Sequence, residues 1–95
     1  MAVNYLSTEA MEALAIRRGL KLAIDPFHGA AAYEFQKEVD KGTCCAGVII
    51  GPEATTLYTR SVNGRQTENY REFETVANVA FDMTILCKFI SDQLG

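Results

Sequence analysis

The residues best suited to chemistry lie together in the stretch 58–71. Tyr58, Arg60, Asn63, Arg65, Thr67, Tyr70 and Arg71 combine three guanidinium groups, two phenol rings and short polar side chains. Arginine presents a planar fork that matches phosphate and carboxylate oxygens two at a time, and a tyrosine ring offers a face for stacking. Asn69 followed by Glu72 has the form of a helix capping box. Read as a strand followed by a helix N-terminus, the stretch would add free backbone N–H groups to the arginines and form an anion site. The chemistry it suggests is the binding of a nucleotide-like or phosphate-bearing anion. Glu68, Glu72 and Glu74 can also neutralise the three arginines, as in an ordinary polar hairpin loop.

Other reactive side chains are sparse. His28, the single histidine, sits in Asp25-Pro26-Phe27-His28-Gly29. It is a conceivable general base, but no nucleophile is paired with it in sequence, and a capping or surface role explains it as well. Cys44 and Cys45 are adjacent, so on a strand they point to opposite faces and cannot share one metal. Neither they nor Cys87 has zinc-site spacing, and small core residues are the simpler identity. Gly47, Gly51 and Gly64 form no phosphate-loop pattern. The reading is therefore no enzyme, no metal and no cofactor.

The elements expected to position these residues follow from periodicity. Ser7 or Thr8 caps a helix over 8–23, with Met11, Leu14, Arg18 and Leu22 on one stripe. Asp25-Pro26 starts a second helix running to about Asp40 and ending at Lys41-Gly42. Cys44 to Ile50 is a continuous apolar run closed by Gly51-Pro52, which reads as a buried strand. Residues 55–62 return antiparallel to it, and Asn63-Gly64 makes a tight turn with room for a short strand at 65–67. From Asn69 a long helix runs to the C-terminal end, its apolar stripe passing through Phe73, Val76, Ala80, Met83, Cys87, Ile90 and Leu94. Residues 2–6 alternate weakly and suit an edge strand. The expected fold class is α+β: two N-terminal helices, a small antiparallel β-hairpin sheet and a long C-terminal helix packed on it, in one domain over 1–95.

Composition bounds the function. Of 95 residues, 48% are apolar and the formal charge is −3. A basic stripe for nucleic acid is missing, as is the cationic face of a membrane-surface helix. No cationic region followed by an apolar run stands at 1–6, so no signal peptide is expected, and a cytoplasmic, soluble protein with free thiols is. So much apolar material in so short a chain points to self-association. The functional expectation is a small non-enzymatic homo-oligomer sequestering an anionic, nucleotide-like ligand at 60–71. The alternative is an adaptor or inhibitor of another protein, of the kind mobile elements encode, acting through an exposed apolar or acidic surface.

Overall fold

A computed structural model describes residues 7–24, 31–63 and 68–95. Its order is α1 (Thr8–Arg18), β1 (Lys21–Ile24), β2 (Ala31–Val39), β3 (Gly42–Ile50), β4 (Ala54–Asn63), β5 (Glu68–Ala77) and α2 (Met83–Leu94). The five strands form one antiparallel sheet in the order β1-β2-β3-β4-β5. This overturns the expected architecture of two leading helices, a small hairpin and a long final helix. One helix stands at each end of a five-stranded sheet.

The helix over 8–23 ends early. Ser7 caps it, its side chain accepting from the Ala10 amide, and Gly19 closes it at φ 67°. In that left-handed conformation glycine carries no Cβ penalty, and its amide reaches back to the carbonyls of Ala15 and Ile16. Leu22, expected on the helical stripe, instead lies in β1 opposite Phe35.

Residues 31–39, expected as helix, pair along their whole length with β3. The residues alternate, with Tyr33 and Phe35 to one side and Ala32, Glu34 and Gln36 to the other, a period of two that fits a strand. Lys41-Gly42, read as a helix stop, belongs to the tight connection after Val39, which faces Gly42. The start of that expected helix, 25–30, lies outside the described residues, as does the edge strand proposed at 2–6.

The long final helix is also broken. Residues 68–77 form β5, a turn follows, and α2 starts after Asp82, whose carboxylate accepts from the Ile85 amide. The remaining twelve residues bury Leu86, Phe89, Ile90 and Leu94, one face only. The single long helix expected from Asn69 is therefore a strand, a turn and a twelve-residue helix.

Both helices pack on the same side of the sheet. Phe35, Ala46, Val48 and Leu57 point to that side and form one core with Met11 and Leu14 of α1 and with Phe81, Leu86, Phe89 and Ile90. Two polar links tie the helices down: Arg18 Nη1 donates to Ser91 Oγ at 2.7 Å, and Lys37 Nζ to the Leu94 carbonyl at 2.8 Å. At the β3–β4 turn, Asn78 clasps the sheet end. Its Oδ1 accepts from the buried Thr55 hydroxyl at 2.7 Å, and its Nδ2 donates to the Gly51 carbonyl at 2.9 Å. Among the described residues, no helix is long and apolar enough to cross a membrane.

Candidate functional site: the helix-free face and the β5 edge

Strand register assembles the opposite face in rungs. One rung runs Ala23, Glu34, Gly47, Tyr58, Glu72, and the next Lys21, Gln36, Cys45, Arg60, Tyr70. Among the described residues neither helix covers this face, yet Glu34 and Tyr58 show no exposure at all. Side chains lying flat across the strands contribute to that burial. Tyr58 and Arg60 both start on β4 and reach over β3 to the carboxylate of Glu34 on β2.

That reach is possible because β3 carries glycine between them. A Cβ on Gly47 would stand 2.6 Å from the Tyr58 ring, closer than any contact atoms tolerate. The ring passes over the bare backbone, and Tyr58 Oη donates to Glu34 Oε2 at 2.8 Å. Arg60 grips the same carboxylate with two groups, Nε to Oε2 at 3.0 Å and Nη2 to Oε1 at 2.7 Å. Gln36 Nε2 adds a fourth donor at 2.9 Å. The third guanidinium nitrogen, Nη1, donates to Glu68 Oε2 at 2.9 Å. Tyr70 stacks on Tyr58 with ring centres 5.4 Å apart.

The electrostatics follow from this packing. Burial alone would push the Glu34 carboxyl up, but hydrogen bonds from Arg60, Gln36 and Tyr58, with the guanidinium charge, outweigh it and hold the group at about 2. Burial, then the bond to Glu34, raises Tyr58 far above the usual phenol range. Burial first and the Glu34 charge second push the Cys45 thiol up to about 12, so it is a poor nucleophile. Tyr70 is raised to about 12 by burial and by its bond to Glu72. None of these groups is poised for proton transfer near neutral pH.

The expected binding residues are thus partly gathered and partly dispersed. Tyr58, Arg60 and Tyr70 share the helix-free face. Arg71 lies opposite Thr59 on the helix side, its guanidinium 4.6 Å from the Phe73 ring centre. Asn63 ends β4 and is exposed. Arg65 and Thr67 lie outside the described residues, as does His28. No helix begins at Asn69, which sits in β5 opposite Ser61, so the helix-terminus component of the expected anion site is absent. Cys44 and Cys45 do point to opposite faces, and all three cysteines are free. Among the described residues no cluster of three metal-ligating side chains occurs.

Sequence reading missed Glu34, the centre of the cluster. Its signal was a carboxylate flanked by Tyr33 and Phe35 in an alternating run, which on a strand forces it onto the face opposite the aromatics. A second feature was also missed. β5 is a ten-residue strand at the sheet edge, with every residue but Val76 exposed, including Tyr70 at 44% and Phe73 at 38%. Residues 68–72 pair regularly with β4, and then Phe73 and Glu74 bulge opposite Leu57. A groove of about 420 Å³ between the end of α1 and α2, lined by Arg18, Met83, Cys87, Lys88 and Ser91, is shallow, and its cations are engaged by Ser91 and Asp92. No protein family, curated protein or solved structure matches the chain.

Proposed function

We propose that this chain is a protein-binding module that receives an extended segment of a partner along the outer edge of β5. The observation that carries the reading is the edge itself. Among the described residues β5 is the last strand of the sheet, ten residues long and exposed at every position but Val76, and strands at a sheet edge are the ones that take up a further strand. The other edge, β1, is only four residues long. Tyr70 and Phe73 flank the template, and exposed aromatic side chains are the type that dominates binding energy in protein interfaces.

An anionic small-molecule ligand draws less support. Arg60 already spends all three nitrogens on Glu34 and Glu68, and Arg71 faces the other side of the sheet.

The test is a selection of peptides from a random display library against the full chain, followed by amide hydrogen exchange of the chain with each selected peptide. Selected peptides are expected to slow exchange in residues 68–77. Protection confined to the α1–α2 groove, or failure to select any peptide, would sink the reading.

A further inference from the structure

We infer that the partner presents an acidic side chain, and that its carboxylate docks on Arg71 at a corner of the helix-bearing face that neither helix covers. The inference rests on the protein-binding reading and adds the chemistry of the partner. It concerns the face of β5 and requires no added strand.

The corner exists because the helices stand elsewhere. α1 packs chiefly on β1 and α2 on β3. On their side of the sheet the cross-strand pairs Thr59–Arg71 and Ser61–Asn69 are left partly or wholly open to solvent: Thr59 and Ser61 are half-buried, Asn69 and Arg71 exposed. Among the described residues the side chains of these four form no hydrogen bond or ion pair.

Arg71 is placed to receive a carboxylate. Its guanidinium lies 4.6 Å from the centre of the Phe73 ring, and Phe73 is braced edge-on by Phe89 of the core, ring centres 5.3 Å apart. Stacking engages the face of a guanidinium and leaves the N–H groups in its plane, the fork that grips a carboxylate at two points. A fork held on a ring also loses less freedom on binding than a freely moving arginine. The other described cations differ. Arg18, Lys21, Lys37, Arg60 and Lys88 are engaged by Ser91, Glu38, the Leu94 carbonyl, Glu34 with Glu68, and Asp92. Arg17 and Lys41 have no such partner among the described residues, but neither rests on a ring.

The surroundings and the charge select the occupant. An exposed aromatic ring beside an arginine, rimmed by hydroxyl and amide groups, has the composition of an interface centre. Glu68 and Glu72 alternate onto the opposite face, where they bond Arg60 and Tyr70, and leave Arg71 unneutralised. One fork with one positive charge matches one carboxylate. A phosphate dianion would bring a second negative charge towards those glutamates, and a basic segment would meet like charge.

The experiment selects peptides from a random display library against the full chain and, in parallel, against Arg71→Glu, each checked for folding by circular dichroism. Peptides from the native selection are titrated into the full chain while the Arg71 Nε–H resonance is followed. The expected result is a shift of that resonance and a shared Asp or Glu. Its change to Asn or Gln should weaken binding at least about tenfold, with a matching loss in Arg71→Gln and less than about a twofold change in Arg17→Gln. Arg71→Glu is expected to select Lys or Arg at the same position, and a native peptide with Lys there should regain affinity for it. Peptides that slow exchange in residues 68–77 yet share no acid, or bind Arg71→Gln as tightly as the native chain, overturn the inference and leave the edge reading intact. Failure to select any peptide overturns both. A dimer of the chain that dissociates in Arg71→Gln would put a carboxylate of a second copy on the fork, and overturns the assignment to a separate partner.

Discussion

Replacing Arg60 by alanine tests whether the helix-free face is held by a single buried carboxylate. The substitution takes two of the four donors and the guanidinium charge from Glu34, which has no exposure of its own. Arg60's own side chain is 21% exposed, so solvent screens the pair only partly. Holding the carboxyl at about 2 instead of the ordinary 4.5 corresponds to roughly 3 kcal/mol, each tenfold change in proton affinity being worth about 1.4 kcal/mol. Removal of one partner from a buried pair costs about 3–5 kcal/mol in general, which agrees. At pH 7 Arg60→Ala is expected to lose roughly 3 kcal/mol, a fall in Tm on the order of 15 °C for a domain this size. The pH dependence supplies the sharper check. A depressed carboxyl contributes its stability above about pH 4.5 and loses it as pH falls towards 2. Urea unfolding followed by circular dichroism between pH 7 and 2.5 should show that loss in the native sequence and a much flatter acid limb in Arg60→Ala. Arg60→Lys, which keeps charge without the fork, should fall between the two. A loss below about 1 kcal/mol at pH 7, or an unchanged acid limb, would refute the assignment of Glu34 and Arg60 as the keystone of the face.

Two further outcomes follow from the geometry. Asn78→Ala leaves the buried Thr55 hydroxyl without its acceptor and frees the Gly51 carbonyl, so urea unfolding should register a loss of about 1–3 kcal/mol. Iodoacetamide at pH 8 should add to Cys44 and Cys87 in the folded chain and to Cys45 only after denaturation, as counted by mass spectrometry; a native adduct on Cys45 would contradict its burial and raised thiol pKa.

Parts of this architecture were legible in the residues. The apolar run ending at Gly51-Pro52 marks β3, and the Thr- and Tyr-rich segment after it marks β4. Ser7 as a helix cap is equally direct. The failures have a shared cause, which is that a strand is decided by a partner strand lying outside the local window, whereas local composition decides helices. Glu34, Lys37 and Glu38 look like solvated helix positions until β3 is placed beside them. Asn69 and Glu72 have the form of a cap, but β4 recruits them into its ladder, and the true cap, Asp82, stands within what looked like one apolar stripe. The gathering of Tyr58, Arg60 and Tyr70 follows from alternation and register, whereas the Glu34–Arg60 pair spans β2 and β4 and leaves no mark in any local window. Val79, within the span expected as one long helix, is 99% exposed in the turn before α2.

The order of the strands also governs how the chain reaches this state. Among the described residues every strand pairs with its neighbours in sequence, so each hairpin closes a short loop and none of these pairings waits for a distant segment. Such local topologies cross low entropic barriers and fold quickly for sheet proteins. The core is different, because it joins Met11 and Leu14 near the start to Ile90 and Leu94 near the end. The meander can therefore zip up one hairpin at a time as the chain emerges, whereas its apolar side stays uncovered until the last helix docks. Mutations in the central hairpin should slow folding, and mutations on Leu86 or Ile90 should chiefly hasten unfolding.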